Sequence, residues 1–205
     1  MPRTSDARER LLQATIDLIW TKSYGAVSVD EICQRAGVRK GSFYHFFASK
    51  DELVVAALEE HWRNSVVPVL DRIFSAAKPP LERLEEYFEE ISSRQEQRYK
   101  QYGRVVGCPY GALASEVAAD SAIAATAKEF LRRKYRYLES ILRDLKAEGI
   151  LPKGADVGAL TQGLWTFLEG ALAQGRIRND LAPTRSLATA ALRFLGIDAR
   201  LAAAH

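Results

Sequence analysis

In the stretch GVRKGSFYHFFASKDEL, residues 37 to 53, the cations Arg39, Lys40 and Lys50 stand among Phe43, Tyr44, Phe46 and Phe47. Lysine and arginine grip phosphate, and aromatic rings anchor a helix inward. A core uses the rings alone and a solvated face the charges alone, so the mixture points to a surface that binds a polyanion. Phe43 and Phe47 are four residues apart and share one helical face, which can rest on Ile32 and Ala36. Gly41, Ser42, Tyr44 and His45 spread over the remaining surface. Gly41 costs about 1 kcal/mol of helix propensity against alanine, but it lets the backbone approach a phosphate or a base edge. Ser28, at the start of the preceding helix, offers a hydroxyl and free backbone N–H groups to a phosphate. Lys50 is placed to close the other side.

The second reactive position is Cys108, in VVGCPYGALASE. It precedes a helix expected to begin near Ala112, whose N-terminal dipole favours a thiolate, and Arg104 lies four residues before it. A lone cysteine is equally a small inert hydrophobe, so structural, pocket-lining and reactive readings all stand for Cys108; Cys33 reads as core. The histidines are His45, His61 and His205, and no phosphate loop, H-E-x-x-H or nucleophile elbow occurs. An enzyme is therefore not expected. With no second cysteine or histidine at ligand spacing, neither metal, cofactor nor disulfide framework is expected.

Helices must position these residues, because helical periodicity dominates and strand alternation is absent. From Leu11, the positions Ala14, Leu18 and Ile19 mark a first helix over about 6–22. Ser28 with Glu31 forms a capping box opening a second helix that Gly37 ends. A third spans about 39–47, and Ser49 with Glu52 repeats the box before a fourth from about Lys50, which Pro68 kinks or ends. Further helices are expected from Leu81 to about Lys100, over 121–148, over 156–177 and, as one piece, over 183–195. The chain of 205 residues carries 47% hydrophobic and 27% charged residues, an ordinary globular balance. Its net charge of +3 is N-terminal: residues 1–50 hold eight Lys/Arg against five Asp/Glu, and the rest balance. No run approaches a membrane span, and a cytoplasmic location is expected.

VSVDEICQRAGVRKGSFYHFFASKDEL resembles the helix-turn-helix of the tetracycline-repressor (TetR) family of transcriptional regulators, a likeness covering about residues 8–55. The resemblance implies an all-α chain with an N-terminal three-helix DNA-binding domain (1–50) and a C-terminal helical ligand-binding and dimerisation domain (51–205). It places Tyr44 and Lys50 on phosphates, Ser28 on the DNA backbone, and Arg39, Lys40, Ser42 and His45 in or near the major groove. It further implies a homodimer on a palindromic double-stranded operator, repressing until a small-molecule inducer releases it. A DNA-binding or architectural protein without an inducer is the alternative. For the dimer seam, Ala159, Gly163 and Gly170 fall on one helical face and combine with Leu187, Ala191 and Phe194; an intrachain packing face is the other reading. For the pocket, Tyr87, Phe88, Tyr102, Tyr110, Phe130, Trp165 and Phe167 supply aromatic walls around Cys108, each equally readable as core. Some regulators of this family with a similar Gly-Cys-Pro segment respond to reactive or small carbonyl compounds. The fourth helix is the expected route from ligand to DNA.

Overall fold

The computed structural model describes residues 4–197, and every regular element among them is helical. In chain order these are α1 (Thr4–Thr21), a 3-10 turn (Tyr24–Ala26), α2 (Val29–Ala36), α3 (Lys40–Phe46), α4 (Lys50–His61), a π turn (Trp62–Val66), α5 (Val67–Ile73), α6 (Pro80–Tyr102), α7 (Pro109–Glu116), α8 (Ala122–Ala147), α9 (Val157–Arg178), α10 (Ala182–Arg185) and α11 (Leu187–Phe194). They form two compact units. The first combines the described part of Met1–Pro68 with Pro109–Leu131, and the second combines Val69–Cys108 with the described part of Arg132–His205.

In the first unit α1 is the hub, packing on α2, α3, α4 and α7. Leu11, Leu12, Thr15, Ile16 and Ile19 recur at helical spacing and are buried, each apolar one contributing about 1.5–3 kcal/mol. Thr15 satisfies its buried hydroxyl by donating to the Leu11 carbonyl at 2.7 Å. Ser28 Oγ caps α2 by accepting from Glu31 N at 3.1 Å. The return arm of the box is diverted, because the Glu31 carboxylate pairs with Lys22. Ser49 Oγ caps α4 in the same way, accepting from Glu52 N at 3.1 Å, and Glu52 returns one residue outward, to Ala48 N at 2.7 Å. Gly37 ends α2 at φ 61°, and Arg10 Nη1 donates to the Ala36 carbonyl at 2.9 Å, placing a cation on the negative end of that helix.

Three sequence expectations change. The helix expected over 183–195 is two, α10 and α11, separated at Ser186. The fourth helix gives way before Pro68: α4 stops at His61 and the Trp62–Val66 turn widens, with Val67 N donating to the Trp62 carbonyl. Pro68 lacks an N–H and its ring crowds the carbonyl four residues back, so the chain relieves the clash upstream by passing into π register. Also, α7 begins at Pro109, earlier than Ala112, since proline's fixed φ suits a first helical position.

The second unit is cored by Leu84, Phe88, Leu138, Ile141, Leu145, Leu164, Leu168 and Leu187, all at most 2% exposed. The ion pair from Arg83 Nη1 to Asp144 Oδ2, 2.9 Å, ties α6 to α8.

Candidate nucleic-acid interface and effector site

The two faces of α3 are cleanly separated. Phe43 and Phe47 are buried and lean on each other at 6.1 Å between ring centroids. Arg39, Lys40, Gly41, Ser42, Tyr44 and His45 are all exposed, with Tyr44 presenting 56% of its surface. Arg39 sits at the N-cap of α3. Lys40 Nζ pairs with Asp30 Oδ1 at 2.8 Å, and the hydrogen bond to that carboxylate pushes its pKa up. Ser28 is exposed, its hydroxyl oxygen occupied by the α2 cap.

Lys50 is half-buried and engaged with the 3-10 turn. Its ammonium donates to the carbonyls of Tyr24 at 3.1 Å and Val27 at 3.0 Å and lies 3.8 Å from the Tyr24 ring centroid. Of its three N–H donors two are thereby committed. The Tyr24 hydroxyl donates to Asp51; burial first, then this carboxylate, push the phenol well above its ordinary range. The Tyr24 N–H donates to Glu116 Oε2 of α7 at 2.6 Å. Nothing in residues 37 to 53 signalled Tyr24 or Glu116.

The residues named for the pocket divide between the units. Tyr110 and Phe130 belong to the first, where Trp62 stacks on Phe130 at 4.5 Å and 2° and meets Tyr110 edge-on at 6.2 Å. Tyr87, Phe88, Tyr102, Cys108, Trp165 and Phe167 belong to the second. There Tyr87 meets Phe74 and Phe88 edge-on, Trp165 meets Tyr135 at 5.9 Å, and Tyr102 and Phe167 are half-buried.

Cys108 ends a loop that the second unit grips firmly. Gly107, at φ 71°, donates to Gln95 Oε1 and accepts from Gln95 Nε2, both at 3.0 Å, so one buried amide side chain closes a two-pronged bond on the loop. Val105 N donates to Asn179 Oδ1 at 2.9 Å. A Cβ on Gly107 would lie 2.9 Å from the Leu172 carbonyl oxygen, which explains the glycine. Beyond the loop, Cys108 hydrogen-bonds the carboxylate of Glu169 on α9, and Lys134 on α8 bears electrostatically on both. Burial pushes the Glu169 carboxyl up, opposed by the thiol bond and by Lys134. Burial likewise pushes the Lys134 amine down, and Arg98 and Arg94 of α6 add to that. Tyr87, 3% exposed, faces the same charges, and burial raises its phenol. Lys134, Glu169 and Gln95 were not singled out in the sequence. The one signal was Glu169 itself, a lone carboxylate inside the apolar run LWTFLEGAL.

The six residues named for a dimer seam also divide. Leu187 and Ala191 are fully buried within the chain, where α11 packs on α6 and α9. They present no surface to a partner, because the short α11 spends its apolar face on its own core. Gly163 abuts Phe194 of the same chain, where a Cβ would lie 2.5 Å from Cζ. Ala159 and Gly170 are exposed, as are Phe194 at 46% and Ile177 at 75%.

Comparison with known proteins defines the class. Residues 11–57 match the family "Bacterial regulatory proteins, tetR family" and residues 80–191 match "Tetracyclin repressor-like, C-terminal domain". The chain belongs to the TetR family of DNA-binding transcriptional regulators. It is 30% identical over 187 residues to the transcriptional regulator AcuR of Cereibacter sphaeroides, covering 90% of this chain and 83% of that one. It is 30% identical over 112 residues to the HTH-type transcriptional repressor NemR of Escherichia coli K12, 55% and 54% of the two chains. Among solved structures it is similar to a TetR regulatory protein from Rhodobacter sphaeroides, with a TM-score of 0.78 and 28% identity over 92% of this chain and 98% of that one. No described helix is long and apolar enough to cross a membrane.

Proposed function

We propose that this chain is a ligand-responsive repressor that binds a two-fold operator as a homodimer and releases it when a small molecule occupies the second unit. The observation that carries the reading is α3, which buries Phe43 and Phe47 while exposing Arg39, Lys40, Ser42, Tyr44 and His45 together. Tyr44 and Lys50 hold phosphates, Ser28 the backbone at the start of α2, and the remaining exposed residues of α3 lie in or near the major groove. Two such helices, one per protomer, read half-sites about one DNA turn apart. The exposed stripe Ala159, Gly170 and Ile177 of α9, with Phe194 of α11, is the face offered to the partner, Gly163 letting Phe194 lie close against it.

The effector reading rests on Cys108, Glu169, Lys134 and Tyr87. Withdrawing the Tyr87 phenol fully, and the Glu169, Lys134 and Cys108 side chains partly, from water costs free energy that an apolar core avoids, and a polar ligand that pairs with them offsets that cost. The test is fluorescence anisotropy on labelled DNA from directly upstream of the protein's own gene, with wild type and Cys108→Ser, before and after adding small electrophiles. Release of wild type alone makes Cys108 the sensor. Equal release of both directs the search to noncovalent ligands, and binding that no small molecule perturbs favours a regulator without an inducer.

A further inference from the structure

We propose that Glu116, the last residue of α7, is a positioning residue for DNA binding, holding the Tyr24–Ala26 turn in place and through it Lys50 and the start of α2. The first N–H groups of any helical turn have no partner within it. At Tyr24 the preceding Ser23 side chain makes no cap, and the donor is met instead by Glu116 Oε2 at 2.6 Å, from 92 residues further along the chain. A carboxylate accepting from the N-terminal N–H of a turn is a charge-assisted bond, shorter and stronger than a neutral one.

The remaining groups of Tyr24 are committed to the residues that open α4. Its carbonyl accepts from Lys50 Nζ at 3.1 Å, its ring lies 3.8 Å from the same ammonium, and its hydroxyl donates to Asp51. Val27, 2% exposed, presents the second carbonyl to Lys50 at 3.0 Å. The next residue is Ser28, the cap of α2. Tyr24 is therefore a junction at which α7, the α1–α2 connection and the start of α4 meet, all within the first unit. If the junction opens, the Lys50 ammonium and the α2 N-terminus lose their mutual register, and both are among the groups offered to phosphate.

The inference rests on the DNA-binding reading of this face, and charge makes its test discriminating. Glu116 is an exposed anion on a unit that binds a polyanion, so simple removal of its charge strengthens binding. A positioning role predicts the opposite sign. Affinity is measured by anisotropy on two labelled duplexes, the upstream fragment and one of unrelated sequence at low salt, using the full chain. Glu116→Ala is expected to weaken binding to both about three- to tenfold, the scale of a lost cap. Glu116→Gln, which keeps an oxygen acceptor, is expected to recover most of that loss. In a double-mutant cycle, Glu116→Ala placed on Lys50→Ala is expected to cost less than on wild type, because the residue it positions is gone. Equal or tighter binding by Glu116→Ala, or full additivity with Lys50→Ala, overturns the proposal. Failure of wild type to bind either duplex overturns the DNA-binding reading itself and takes the proposal with it.

Discussion

Phe43 and Tyr44 are adjacent in sequence and opposite in role. Phe43 is 0% exposed and Tyr44 56%, so truncating each gives a different loss. Phe43→Ala is expected to lower stability by about 3–5 kcal/mol, read as a shift of the denaturation midpoint. Tyr44→Ala should leave stability unchanged while weakening binding to all duplexes by about two- to tenfold, the scale of one hydrogen bond, with an unchanged salt slope. Lys50→Ala differs by lowering that slope by about 1, since a charged phosphate contact is lost. Glu169 allows a sign test. Its carboxyl is pushed up from the ordinary 4.5 by burial, so its ionised form weighs against folding at neutral pH and the penalty fades as pH falls through the raised value. Glu169→Gln keeps an acceptor for Cys108 and should be more stable than wild type at neutral pH, with the gain vanishing in acid. Thermal unfolding across that range checks it, and a constant difference contradicts it.

The elements were legible wherever their punctuation is local. Ser28, Gly37, Ser49 and Asp156 mark helix ends through bonds reaching three or four residues, and the caps fall at those residues. Ser186 carried no such mark, so the break between α10 and α11 was read through. Pro68 announced a disturbance, but its effect falls on the turn before it. Of the residues around Cys108, the sequence drew attention to Cys108, Tyr87 and, as a lone carboxylate in an apolar run, Glu169; Gln95 and Lys134 act on partners brought close by folding, which spacing cannot reveal. Glycine conformation separates these cases energetically. Gly107→Ala adds a methyl 2.9 Å from a backbone oxygen at φ 71°. Gly37→Ala at φ 61° meets only the movable Arg10 Nη1, at 3.3 Å. Gly37→Ala should cost about 1–2 kcal/mol and Gly107→Ala distinctly more, compared by equilibrium unfolding.

For the whole molecule, the exposed side chains of α9 and α11 are the surface whose loss should separate protomers. Ile177→Glu is expected to shift sedimentation toward the monomer and weaken operator binding together, leaving the unfolding midpoint of the monomer unchanged. A dimer that survives this substitution removes α9 from the interface.

Trp62 stacks on Phe130, a residue 68 positions later in the sequence, and the first unit closes only when Pro109–Leu131 joins it. During synthesis, α1 to α4 leave the ribosome early, yet they wait for the chain through residue 131 before Trp62, Tyr110 and Glu116 find their places. Because synthesis adds about 5–20 residues per second, the nascent reading head spends several seconds incomplete, with Trp62 uncovered.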